Sequence, residues 1–306
     1  MKIVFLGDHD WANTSNRVVR AINRTGGANY ARCITRYAHP FEYDEDVVIE
    51  RDGWAIAENA MASADWVIGA GDANYKTMPD LMSRLKVPPS ARIGMRHSGT
   101  ELRNNPVACA TQDAALKASR VFVPMDLLTT YPNQDIVRPF VQPQEHIASC
   151  PVAPSPDGVI RVCHTPSERR TKGTKHVVQA MIGLDPRAVN FEIIEDRPFA
   201  EVHEMRRTHH VLVDNMHPGY GNFGASACEA MACGLSVVSN ISHVIVNHPL
   251  IPTPPIIHVE TEDQLSHTIA LMTRYSVTRN ASDCIEWASK YLSDSFTASY
   301  WGECLK

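Results

Sequence analysis

Short runs rich in β-formers alternate with helical stretches along almost the whole chain, and this constrains the fold more than any other feature. Strands separated by helices pair in parallel, because each connection must cross over the sheet, and a parallel sheet is covered on both faces. The first such run is Ile3 to Leu6. It leads into the polar loop GDHDWANTSN and then into a helical pattern in which Val18, Val19, Ala21 and Ile22 recur. Thr25-Gly26-Gly27 should stop that helix, since glycine supplies the left-handed conformation of a helix C-terminus. Further strands are expected at Trp66 to Ile68 ahead of Gly69, at Ala91 to Met95 and at Val121 to Val123.

Between Val141 and Gly158 the alternation breaks into QPQEHIASCPVAPSPDG, rich in proline and polar residues and without a period. A second α/β series follows, with strands at Val159 to Cys163, Phe191 to Ile194, Val211 to Val213 and Ser236 to Val238. Helices are expected near Thr174 to Leu184, Phe199 to Arg207 and Ser226 to Cys233. With 306 residues the chain has room for two such domains. The expected division is 1–145, a linker at 146–158, a second domain at 159–285, and a C-terminal helix at 286–306, around Ser282 to Trp301, that can pack back on a neighbouring domain.

Composition excludes several classes. No apolar run approaches the roughly 20 residues of a membrane helix, and Ile3 to Leu6 is too short for a signal-peptide core. The 8 cysteines form no CxxC pair, which points to a reducing compartment, so a cytoplasmic location is expected. Net charge is -5 and neither half carries the basic excess of a protein that relies on nucleic-acid phosphates. His203, His209 and His210 lie close together, but no cysteine or carboxylate spacing completes a metal site, and none is expected.

Two segments concentrate chemistry. In VIRVCHTPSERRTKGTK, residues 159 to 175, a strand runs into a polar loop and then a helix. Arg169 and Lys172 thus sit beside a helix start, whose free N–H groups and positive dipole end suit a diphosphate; a solvated basic loop would read the same way. In VLVDNMHPGYGNFGASACEAMACGLSVV, residues 211 to 238, a strand ends at Asp214, glycines 219, 221 and 224 follow, and Glu229 lies on the next helix. Glycines there let backbone approach a ligand, and a carboxylate early in such a helix can accept hydrogen bonds from a ribose diol. The alternative is a turn built for packing, with Glu229 at the surface.

Together, HTPSERRTKGT and GYGNFGASACEAMACGLSVV resemble the C-terminal domain of the large retaining family of GT-B glycosyltransferases, whose EAMA-G motif is shared by sucrose-phosphate, mannosyl and polysaccharide transferases. The resemblance covers residues 159 to 240. It implies an α/β fold of the GT-B type, with two Rossmann-like domains facing each other across a cleft. It also implies a nucleotide-diphosphate sugar as donor substrate, with no cofactor or metal required. Donor contacts implied are Arg169 and Lys172 on the diphosphate, the loop Gly221, Asn222, Phe223, Gly224 and Ala225, and Glu229 on the ribose. The family's signature has two glutamates separated by seven residues, and the first would fall on Gly221. Asp214 or Asn222 could substitute for it, and Asp214 is counted among the catalytic candidates.

In the N-terminal half, RHSGTELR, residues 96 to 103, resembles a run that faces the cleft in the same family. His97 is a candidate for proton transfer or for orienting a sugar hydroxyl, and Glu101 for accepting a proton. Arg103 could meet phosphate or pair with Glu101. The first strand-to-helix loop offers Asp8, His9, Asp10 and Trp11 for acceptor contact, or else forms an ordinary turn capped by Thr14 or Ser15.

The leading expectation is transfer of a hexose, UDP-linked, to a hydroxyl of a saccharide or polysaccharide precursor, with retention. A second is glycosylation of a hydroxymethylated DNA base, which would need a basic groove from Arg17, Arg20, Arg24 and Arg96. A third is a non-catalytic nucleotide-sugar binder. An NAD enzyme is disfavoured, because residues 5 to 15 contain no GxGxxG.

Overall fold

The computed structural model describes residues 1–70, 77–97, 99–153, 157–219, 223–242 and 250–306, and only the backbone of Trp11 and Thr100. The chain divides into two compact units, Met1–Glu145 with Ser293–Lys306, and His146–Leu292.

In the first unit the strands are β1 (Lys2–Gly7), β2 (Tyr30–Thr35), β3 (Val47–Val48), β4 (Trp66–Ala70), β5 (Arg92–Arg96), β6 (Ala118–Val123) and β7 (Val137–Pro139). They form one sheet in the order β3-β2-β1-β4-β5-β6-β7, with every neighbouring pair parallel. The helices are α1 (Thr14–Arg24), α2 (Ile49–Asp52), α3 (Trp54–Met61), α4 (Met78–Arg84), α5 (Thr100–Asn104) and α6 (Pro106–Ala115). One hydrophobic cluster joins Val4, Leu6, Ile34 and Val67 of the sheet to Ala57, Met61 and Leu81 of the helices. The sequence expectation omits β2, β3 and β7. In β2, YARCIT, two polar residues interrupt the apolar run, and Asp46 supplies the compensation by accepting from both Arg32 and the Cys33 N–H.

The second unit holds β8 (Ile160–His164), β9 (Val189–Ile193), β10 (Val211–Val213), β11 (Ser236–Ser239) and β12 (Ile257–His258), in the order β12-β11-β10-β8-β9, again all parallel. Its helices are α7 (Thr174–Ile182), α8 (Phe199–Arg206), α9 (Ala225–Ala232), α10 (Glu262–Ala270) and α11 (Arg274–Tyr291). Val162, Val211, Val213 and Val238 meet Val177, Leu265 and Ile269 in its core. Within the expected linker at 146–158, the Ala148 N–H donates to the Ala232 carbonyl at 2.7 Å.

The last helix differs from the single one expected near Ser282 to Trp301. It is two helices, α11 and α12 (Asp294–Cys304), separated at Leu292 and Ser293. Ser293 is an N-cap whose side chain accepts from the Phe296 N–H, which starts a new helix instead of prolonging the old one. The division between units falls at this break and not near residue 285. Trp301 of α12 is fully buried, stacked on Phe122 at 4.2 Å and edge-on to Phe5 at 5.0 Å. The Tyr300 hydroxyl donates to the Pro139 carbonyl at 2.6 Å, and Trp66 Nε1 donates to the Leu305 carbonyl at 3.0 Å. Among the described residues no helix is long and apolar enough to cross a membrane.

Because Trp301 fills the space between β1, β6 and α12, Trp301→Ala is expected to destabilise the chain by about 3–5 kcal/mol, the range for an aromatic truncated in a packed core. Urea unfolding followed by circular dichroism measures this, and a loss below about 1 kcal/mol would remove the assigned role of α12.

Candidate functional site

In the second unit, β8 and β10 are adjacent and parallel, so the loops leaving their C-terminal ends emerge side by side. Ligands of open α/β sheets bind at such ends. The β8 loop carries Arg169 and Lys172 and leads into α7; the β10 loop starts at Asp214 and leads into α9. Lys172 Nζ donates to Asp214 Oδ1 at 2.6 Å, and the Gly224 N–H, at the head of α9, donates to Asp214 Oδ2 at 3.3 Å. One buried carboxylate therefore joins the lysine of the first segment to the helix start of the second. The Met216 N–H donates to the Lys172 carbonyl at 3.1 Å and closes the contact between the loops.

Gly173 is required by this closeness. Its φ is +66°, and a Cβ there would lie 2.5 Å from the His217 nitrogen and 2.6 Å from the Met216 carbonyl carbon. His164, at the end of β8, fastens the same loops from beneath. Its Nδ1 lies 2.7 Å from the Val213 carbonyl oxygen and so carries the proton, which leaves Nε2 to accept from Thr174 Oγ1 at 2.9 Å. Burial pushes this imidazole down to about 4.

Arg169 and Glu229 meet partners that spacing does not reveal. Arg169 is paired through the Nε and Nη2 edge of its guanidinium with Glu195, just beyond β9, with Nε 2.9 Å from Oε2. The Glu168 carboxylate accepts from the Arg170 and Thr171 N–H groups at 2.8 and 2.7 Å, which holds its carboxyl below the usual range. Glu229 is not a surface residue: it is buried and ion-paired with Arg206, whose Nη2 also donates to Thr165 Oγ1 at 3.0 Å. Arg206 thus ties the end of α8 to both donor segments. It is the functional candidate that the sequence reading missed, because in EMRRTHH it is indistinguishable from its half-exposed neighbour Arg207. Phe223 lies edge-on to Trp287 at 6.3 Å, and Ala225 begins α9. Gly221 and Asn222 lie outside the described residues.

In the first unit the candidates have structural partners. His97, beyond β5, is buried with its ring closed off from solvent; Nε2 lies 2.8 Å from Asp113 Oδ2, and the Tyr131 hydroxyl donates to the same oxygen at 2.9 Å. Arg103 pairs with Asp126 and not with Glu101, which instead accepts from Asn105 Nδ2 at 2.9 Å. Asp10, offered for acceptor contact, is buried beside the start of α1. It accepts from the Ser15 and Asn16 N–H groups at 2.9 and 2.8 Å and from Asn16 Nδ2 at 3.0 Å. The N-cap position of α1 is Asn13, not Thr14 or Ser15, and the free N–H groups of the first turn are taken up by the oxygens of Asp10. Asp8 accepts from Thr77 Oγ1 at 2.8 Å, and the His9 ring packs on Tyr37 at 5.5 Å. The side chain of Trp11 lies outside the described residues.

The four arginines required for a nucleic-acid groove are engaged elsewhere. Arg17 donates to Gln144, Arg20 pairs with Glu145 and Asp44, and Arg24 pairs with Glu145 and Asp294. Arg96 is buried against Thr14, Asp10 and the Phe140 ring. Carboxylates neutralise three of the four, so these residues form no basic stripe.

The state of His164 has a pH consequence. Its pKa is lowered in the folded chain, so below its ordinary value of 6.5 the unfolded chain binds more protons and stability falls with pH. The loss should develop between pH 6.5 and about 4 and reach at most about 3 kcal/mol. Melting temperature against pH tests this: His164→Asn should flatten the slope in that window, and an unchanged slope would contradict the assignment.

No family model matches the chain, and no curated protein matches it in sequence. Solved structures do match. The crystal structure of Anabaena HepE in complex with UDP-glucose aligns with TM-score 0.66 at 14% identity, over 100% of this chain and 99% of that one. OtsA aligns with TM-score 0.62 at 10% identity, and the lipopolysaccharide outer core galactosyltransferase WaaB with 0.58 at 11%, each over 100% of this chain and 99% of the other. At these identities the likeness concerns the fold: the chain has the architecture of GT-B glycosyltransferases, with two Rossmann-like α/β units.

Proposed function

We propose that the chain is a glycosyltransferase that takes a hexose from a UDP-linked donor and transfers it to a hydroxyl of a saccharide acceptor with retention. One observation carries the reading. Lys172 Nζ and the Gly224 N–H at the head of α9 converge on a single carboxylate, so two separate segments present a cation and a helix start to one anionic group. A diphosphate is the donor component with that charge and reach. HepE, which shares the fold along its whole length, binds UDP-glucose, and this supports uridine as the base.

In the reaction the bond between the sugar's anomeric carbon and the diphosphate oxygen breaks, and the acceptor oxygen bonds to that carbon on the same face. The acceptor's hydroxyl proton passes to the departing phosphate. Lys172, Arg169 and the N-terminus of α9 meet the charge that develops on the leaving group. Glu229, held by Arg206, faces the ribose in this reading. Asp214 keeps Lys172 beside α9 and takes over part of the work of the glutamate replaced by Gly221. The DNA-directed reading loses its basic groove, because Arg20 and Arg24 are bound by Glu145 and Arg96 is buried.

Isothermal titration with UDP-glucose, UDP-GlcNAc and GDP-mannose, followed by a donor-hydrolysis assay, tests the proposal. Lys172→Met should weaken UDP binding roughly 10- to 100-fold, the effect of losing a hydrogen bond from a charged donor. Glu229→Gln should weaken it far more than Glu101→Gln. Absence of binding by any nucleoside diphosphate at millimolar concentration would overturn the reading.

A further inference from the structure

Arg206 is the last residue of α8, and its side chain is only 3% exposed, while Arg207 beside it turns outward to Glu204 at 3.6 Å. Burying a guanidinium is unfavourable unless its charge and its N–H groups are met. The groups that meet it belong to the donor segments. Nη1 donates to Glu229 Oε2 on α9, and Nη2 donates at 3.0 Å to Oγ1 of Thr165, which follows directly on β8. Glu229 depends on this arginine in turn. Its own helix contains no cation, Ala227, Ala230, Met231 and Ala232 around it are buried and apolar, and its side chain, 6% exposed, has little access to water. A carboxylate buried without a cation takes up a proton or rotates toward solvent, and either change removes an acceptor from its place. A carboxylate offers about four acceptor sites, so the bond from Arg206 Nη1 does not exhaust it.

We infer that Arg206 is a positioning residue for the donor's ribose: it acts through Glu229, which it keeps charged and aimed, so that the distinction between a ribose and a sugar lacking its hydroxyls is made on α9 and set from α8. The inference rests on the donor-site reading above, in which Glu229 faces the ribose. Arg206 supplies the charge, and Thr165 fixes the direction from which it comes, because the planar guanidinium spans both residues at once. A lysine at the same place would bring the charge as a point, without the fork. Hydrogen bonds to a charged acceptor are the strong ones. The contribution of Arg206 therefore lies in the share of affinity that the ribose hydroxyls carry, and not in the share carried by the diphosphate.

The test is isothermal titration of the full chain and its variants with UDP and with 2′,3′-dideoxy-UDP, with melting temperatures recorded for each protein. The unaltered chain should bind UDP about 10- to 100-fold more tightly than the dideoxy compound, the effect of losing a hydrogen bond to a charged acceptor. Arg206→Gln, which removes the charge, should bring that ratio below about threefold and leave the affinity for dideoxy-UDP within about threefold of the unaltered chain. Arg206→Lys, which keeps the charge, should hold the ratio above that of Arg206→Gln. Thr165→Val leaves the ion pair in place and should lower the ratio about two- to tenfold, the effect of one hydrogen bond. A pair that only held α8 against α9 would lower the melting temperature of Arg206→Gln and leave the ratio unchanged. An undiminished ratio in Arg206→Gln, or in Thr165→Val where Arg206→Gln does not fold, would overturn the inference and leave the donor site standing. Equal binding of UDP and dideoxy-UDP by the unaltered chain would overturn the ribose role of Glu229 and the inference with it. Failure of the unaltered chain to bind UDP would overturn the donor site itself.

Discussion

The carboxylate of Asp214 is the contact on which the second unit's candidate site depends. It lies at the end of β10, where a parallel sheet exposes its strand ends to ligands, and it accepts from both Lys172 and the Gly224 N–H. Two loops far apart in sequence are drawn together at that point. Gly173 allows the approach, since any side chain there would strike the backbone at Met216 and His217. His164 supports it from below with one bond to each of the neighbouring elements. This packing holds Lys172 beside a helix start.

Charge is distributed around this contact in graded exposure. Arg206 and Glu229 are a buried pair, and burying two charges is unfavourable unless their geometry and remaining hydrogen bonds compensate. Thr165 supplies one such bond and ties the pair to the end of β8. Lys172 and Asp214 form a partly buried pair, while Arg169 and Glu195 lie at the surface. The pairs thus run from buried to exposed.

The first unit uses its polar residues differently. Asp10, His97, Arg96 and Arg103 are each committed to an internal partner, so the loops at the strand ends are braced by buried hydrogen bonds. A histidine or an acid after a strand can read as reactive from its position, yet here the helix start of α1 and the carboxylate of Asp113 take up those groups. A buried polar group must find a partner, and the nearest one is in the fold.

Much of the architecture was legible in the chain itself. The alternation of β-rich and helical runs imposes parallel sheets, Gly26 ends α1 through its positive φ, and Lys172 and Gly224 each lie next to the start of a helix. These are local properties, set by backbone propensity and by the free N–H groups of a helix terminus. Other features were not local. That Glu229 is buried on Arg206 and that Arg169 is shared with Glu195 were decided by which residues the tertiary structure brings within hydrogen-bond distance. Sequence determines what each side chain can donate or accept; only the folded chain determines which partner it meets, because those partners lie up to many tens of residues away and compete for the same few atoms.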